Sequence, residues 1–154
     1  MIKHTQTQVS NLTLTAYDIY KVAKSLGIEV EDVITSNCVV RIDKESKLPA
    51  FWVRRDKADS FAEILKQANE KVIDEGDAAN DAWEDAVSRI SPIIQKKCER
   101  MKVEFEMDEE QQLLCGSFSA FLGLLYLALD TSEPFSEQLR RNTEIFLEPH
   151  ADDQ

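Results

Sequence analysis

Histidine and cysteine are scarce in this 154-residue chain: two histidines, His4 and His150, and three cysteines, Cys38, Cys98 and Cys115, none near another. A zinc cage needs about four nitrogen or sulfur ligands, usually supplied in close pairs from one turn, and no such pair exists. Nucleophilic catalysis needs a serine or cysteine with a base held by a third group, and two histidines near opposite ends are a poor supply of bases. No G-x-S-x-G elbow, phosphate-binding loop or dinucleotide fingerprint occurs. An odd number of distant cysteines, with no leader-like segment ahead of them, excludes a disulfide framework and fits a reducing cytoplasm.

Positive charge is also scarce. Eighteen Lys and Arg against 29 Asp and Glu leave a net charge of −11, which repels phosphate backbones and acidic membranes. Nucleic acid is therefore not an expected partner. Glycine and proline number four each, while 43% of residues are hydrophobic and 31% charged. Those proportions belong to a folded domain, not to a loop-rich or disordered chain. One long uncharged run, LLCGSFSAFLGLLYLAL from Leu113 to Leu129, reaches the lower length for a membrane span. Its flanks, Asp108-Glu109-Glu110 and Asp130, are acidic where basic and aromatic anchors are usual, so a buried central helix is expected and a membrane is not.

The pattern predicts a mainly α fold with a small β-hairpin (α+β), a helical bundle packed with a two-stranded antiparallel element. Residues 1–13 read as a flexible lead-in, 14–148 as one globular domain and 149–154 as a tail. Within the domain, 14–55 is a helix–helix–hairpin segment and 59–148 is helical. Thr15 caps a first helix with Ile19, Val22, Ala23 and Leu26 on one face, and Gly27 stops it. A short second helix carries Glu29, Glu31 and Asp32 near its positive end. The hairpin then runs through Cys38-Val39-Val40-Arg41-Ile42 and Leu48 to Arg54, with Pro49 at a strand's beginning or edge.

From Ser60 the period is helical again. Phe61, Ile64, Leu65, Ala68 and Val72 form a stripe ended by Gly76. Ala79, Ala82, Trp83, Ala86, Val87 and Ile90 form the next, which Ser91-Pro92 restarts or bends before Ile94, Cys98 and Met101. The uncharged run is expected to be helical to about Leu129. Thr131-Ser132-Glu133-Pro134 then starts a last helix burying Phe135, Leu139, Ile145 and Phe146.

Two features stand out as contact candidates. Asp77, Asp81 and Asp85 recur every four residues, lining one helical face beyond Glu70 and Asp74; a cation or a basic protein would relieve their repulsion, although a merely solvated face has the same pattern. Phe51 and Trp52 alternate along a strand, so one faces the core and the other is free to be exposed on the hairpin edge, although helices covering both would fit the same pattern. Whether a second copy of the chain is a partner stays open.

Residues 14–55, with the Leu14-Thr15-x-x-Asp18-Ile19 helix start, the Leu26-Gly27 stop, Glu31-Asp32 and Ser46-Lys47-Leu48-Pro49, resemble the central segment of the YkgJ-like cysteine-cluster family of zinc- or iron-chelating proteins. LLYLALDTSEPFSEQLRRN is similar to the C-terminal part of its longer members. The resemblance implies a metal held by cysteines before the first helix and after the hairpin. Here KHTQTQVSN has none, and Arg54-Arg55 runs straight into DKADSFAEI. The expected function is accordingly a non-enzymatic binding or structural module without a cofactor. The alternative is zinc or iron at a reduced or intersubunit site that uses Cys38. YKVAKSLGIEVEDVI also looks like the later helices of a repressor-type helix-turn-helix domain. Only 16 residues precede Tyr17, too few for the upstream helices that fold needs.

Overall fold

The computed structural model of the chain describes residues 9–42, 49–105 and 124–149. In chain order these form β1 (Val9–Leu14), α1 (Ala16–Leu26), α2 (Val30–Asn37), β2 (Cys38–Ile42), β3 (Pro49–Arg54), a 3-10 turn (Arg55–Lys57), α3 (Ala58–Lys71), α4 (Asp77–Phe105) and α5 (Phe135–Leu147). The fold is mainly α with a small antiparallel sheet, as the sequence pattern predicts. Two compact units divide it: one holds residues up to 41, 50–74 and 129–131, and the other holds 42–49, 75–128 and 132 onward.

In the first unit, local chemistry sets the element ends. The Asp18 N–H donates to Thr15 Oγ1 at 3.1 Å and the Thr15 N–H to Asp18 Oδ2 at 3.0 Å, a reciprocal cap that satisfies two donors the first turn would leave orphaned. Gly27 ends α1 at φ +69°, in the left-handed region where a side chain costs energy. α1 packs against α2, α3 and β1, burying Ile19, Val22 and Ala23 together with Val33, Ile34, Val53 and Phe61. Leu26, expected on the buried face, is 49% exposed; it is the last helical residue before the Gly27 turn, and Tyr17 and Tyr20 take the buried positions instead. The Tyr17 hydroxyl donates to the Ile73 carbonyl at 3.1 Å, and Lys24 Nζ to the Thr131 carbonyl at 2.9 Å.

The sheet differs from the expected hairpin by one strand. Residues 9–13, expected within the lead-in, belong to β1, and the order is β1-β3-β2. Thr13 pairs with Trp52 and Leu14 with Phe51, and the register shifts between Val9 and Thr13. A bulge deprives the ladder of regular bonds, and Ser10 fills in at that place. Its hydroxyl donates to the Val53 carbonyl at 2.7 Å and accepts the Leu12 N–H at 3.1 Å. Because β1 occupies one side of β3 and β2 the other, Phe51 and Trp52 lie on the central strand and not on an edge. Pro49 is the first residue of β3, where a missing N–H is tolerated.

In the second unit, α4 packs on α5. Ala79, Ala82, Ala86, Ile90, Ile93 and Ile94 bury one stripe of α4, with Trp83 and Val87 half-buried beside it. Pro92 cannot donate to the carbonyl four residues back, yet α4 continues through it without a restart. Gly76, expected to end the preceding helix, instead sits at φ +59° just ahead of α4; α3 stops at Lys71, where Val72 turns extended. Most of the Leu113–Leu129 run lies outside the described residues. Its last part departs from expectation, since helix ends at Leu124 and residues 125–129 form an irregular strap. Leu124, Leu125 and Leu127 are buried there, while Tyr126 is 81% exposed. On α5, Phe135 and Leu139 are buried as predicted and Phe146 is half-buried. Ile145 is not buried, at 58% exposure, because Thr143 and Leu147 occupy the inward positions. Among the described residues no helix is long and apolar enough to cross a membrane.

Candidate functional site

The acidic stripe begins where α4 begins. Asp77, Asp81 and Asp85 are one turn apart and all exposed, as the four-residue spacing requires on a helix. They are not equivalent. Asp85 Oδ2 lies 3.6 Å from Arg89 Nη1, and that nitrogen is 2.6 Å from Glu144 Oε1 on α5. The hydrogen bond from Arg89 holds the Glu144 carboxyl below the usual carboxylate range and, reciprocally, holds the guanidinium above its own. Asp77 and Asp81 have no basic partner among the described residues. Glu70 and Asp74, in the turns before, are also exposed.

The neighbouring Glu75, which belongs to no repeat, has a different role. Pro134 is the N-cap residue of α5 and offers no side-chain acceptor. Glu75 supplies one from 60 residues away: its two carboxylate oxygens accept the N–H of Phe135 at 2.7 Å and of Ser136 at 3.0 Å. A carboxylate there satisfies two orphaned donors and meets the positive end of the helix dipole. Farther along α5, Gln138 and Asn142 grip the strap. Gln138 Oε1 accepts the Ala128 N–H at 2.8 Å, and its amide nitrogen donates to the Glu133 carbonyl at 3.1 Å. Asn142 Nδ2 donates to the carbonyls of Leu124 and Tyr126, at 2.9 and 3.0 Å. Arg141 pairs with Glu133.

Of the two aromatic candidates, Phe51 is 3% exposed in the core of its unit, and Trp52 is half-buried on the opposite face of the sheet. Antiparallel partners share a face and neighbours alternate. Trp52 therefore stands beside exposed Thr13, with Arg54 two residues along the same side.

Cys38, the weak metal candidate, is buried at the start of β2, and burial pushes its thiol up to about 11. A neutral thiol is a poor ligand, since the metal binds the thiolate. Among the described residues no three His, Cys, Asp or Glu side chains come together in a way that could hold a metal ion. His4, His150 and Cys115 lie outside the described residues. Compared with protein-family models, with curated proteins and with solved structures, the chain matches none.

The residues that sequence reasoning missed are Glu75, Gln138, Asn142 and Ser10. All four use polar side chains to hold backbone. Nothing local marks Glu75, because its partners are 60 and 61 positions away. The Gln138–Asn142 spacing of one helical turn was the only available hint for the other grip.

Proposed function

We propose that the protein is a non-enzymatic, cytoplasmic binding module, a divergent relative of the cysteine-cluster family without its metal site, that contacts a basic protein through the start of α4. The observation that carries this reading is the pair Asp77 and Asp81: exposed, one turn apart, and without the basic neighbour that Asp85 has in Arg89. Like charges at that spacing destabilise a helix, and an arriving cationic surface relieves the repulsion. The order of elements from the Thr15 cap through the Gly27 stop to the hairpin is the order the resemblance calls for, and it supports the kinship without supplying the missing cysteines.

Affinity capture with wild type and with Asp77, Asp81 and Asp85 changed to Asn tests the reading. Loss of captured basic proteins in the variant is expected, and an unchanged set of partners refutes it. The alternative of zinc or iron bound through Cys38 asks a buried, neutral thiol to ionise. Elemental analysis of protein never exposed to chelator decides it, because structural sites hold metal very tightly.

A further inference from the structure

We infer that residues 125–128 are a two-state switch, extended while α5 is docked and helical when α5 lets go. The inference does not rest on the contact reading of α4. Nothing in the local sequence stops the helix that ends at Leu124. Leu125, Leu127 and Ala128 are among the best helix formers and Tyr126 is an ordinary one, with no glycine, proline or β-branched residue among them. The first residue that bars a helix outright is Pro134. A helix continued through this segment would bond the Ala128 N–H to the Leu124 carbonyl, four residues back. Those are the two groups that α5 keeps apart. Gln138 Oε1 accepts that N–H at 2.8 Å, and Asn142 Nδ2 donates to that carbonyl at 2.9 Å and to the Tyr126 carbonyl at 3.0 Å. Two side-chain amides thus hold the two halves of the helical bond, against the preference of the segment itself. Such a conflict between local preference and tertiary setting leaves a second arrangement close in energy.

Residues 124–128 and α5 lie in one compact unit, and their contacts make the change all or none. Leu125 and Leu127 are buried on either side of Tyr126, which is 81% exposed; that alternation belongs to an extended segment, and a helix cannot keep it. Once the helical bond forms, the amide oxygen of Gln138, a residue only 3% exposed, has lost the Ala128 N–H. A buried polar group without its partner is costly, so α5 leaves with the strap, and Phe135 and Ser136 lose the Glu75 carboxylate. Whatever binds the inward side of α5 then favours the helical state by mass action.

NMR of the full chain tests this. In the double variant Gln138→Leu with Asn142→Leu the amide hold is gone, and the Cα chemical shifts of residues 125–128 are expected to move to helical values. Random-coil or extended shifts in a folded double variant overturn the inference, since cutting a merely structural tie leaves a loose segment. Where the double variant does not fold, wild type and Ala128→Gly decide. Saturation-transfer exchange in wild type should reveal a minor state with helical shifts at 125–128 and the same exchange rate at Phe135 and Ser136. Ala128→Gly keeps the N–H that Gln138 accepts but weakens the helix, so the minor population should fall about fivefold. Absence of a minor state, a minor state without helical shifts, a strap that exchanges independently of α5, or a population unmoved by Ala128→Gly overturns the inference.

Discussion

The two compact units fix the ends of their helices by different means. In the first, the ends of α1 are fixed by neighbours three or four residues away, and a continuous apolar set fills the space between helices and sheet. In the second, α5 and its strap depend on polar side chains that reach across the sequence: Glu75 to Phe135 and Ser136, Gln138 to Ala128, Asn142 to Leu124. Local signals make a segment fold where it stands, whereas a distant cap makes it fold only once the rest has arrived. The first arrangement tolerates isolation better, and the second ties a helix to the completion of its unit.

The comparison can first be tested where the units should agree. Phe61 and Phe135 are at 1% and 0% exposure, one in each unit. Replacing either with Ala should cost about 3–5 kcal/mol, measured by urea unfolding. A much smaller cost at Phe135 would mean that polar ties, not apolar packing, hold the second unit.

Where the units should differ, the effect is smaller. Glu75→Ala removes a charged acceptor from two N–H groups and is expected to cost about 1.5–3 kcal/mol, with faster hydrogen exchange at Phe135 and Ser136. Thr15→Ala removes a local cap and should cost only about 1 kcal/mol. Equal costs, or exchange unchanged at α5, would break the distinction.

Cys38 gives the smallest effect and sharpens the picture of the first unit. Burial raises its thiol from the ordinary 9.0 to about 11. Between those values the unfolded chain has released the proton and the native chain has not, so stability falls as pH rises. Between pH 9 and 10 wild type should lose on the order of 1 kcal/mol more than Cys38→Ala, read from urea midpoints. Parallel pH profiles would show that Cys38 is more open to water than its position at the start of β2 implies.

The same division explains what the sequence made legible. The Thr15 cap, the Gly27 stop, the hairpin strands and the α4 stripe depend on residues within a turn or on a simple period, so they could be read directly. β1 could not, because VSNLTL has no apolar alternation strong enough to mark a strand and is specified by its ladder with β3, some 40 residues on. Missing it misplaced Phe51 and Trp52 on an edge. The strap after Leu124 has the apolar residues of a buried helix, Leu125, Leu127 and Leu129; what stops the helix is side-chain amides on α5 competing for the backbone. In the candidate site the exposure of Asp77, Asp81 and Asp85 follows from periodicity, and so does the Asp85–Arg89 pair one turn apart; that Glu144 on α5 competes for the same guanidinium needed the packing of two helices.

The place of β1 beside β3 has a practical consequence. Proteolytic clipping after Leu14 would strip the whole of β1, with Leu14 its one buried side chain, and would bare the backbone donors and acceptors of β3 along one side. An uncovered row of that kind templates further strands, so such nicked protein should precipitate or form fibres even while its helices remain intact.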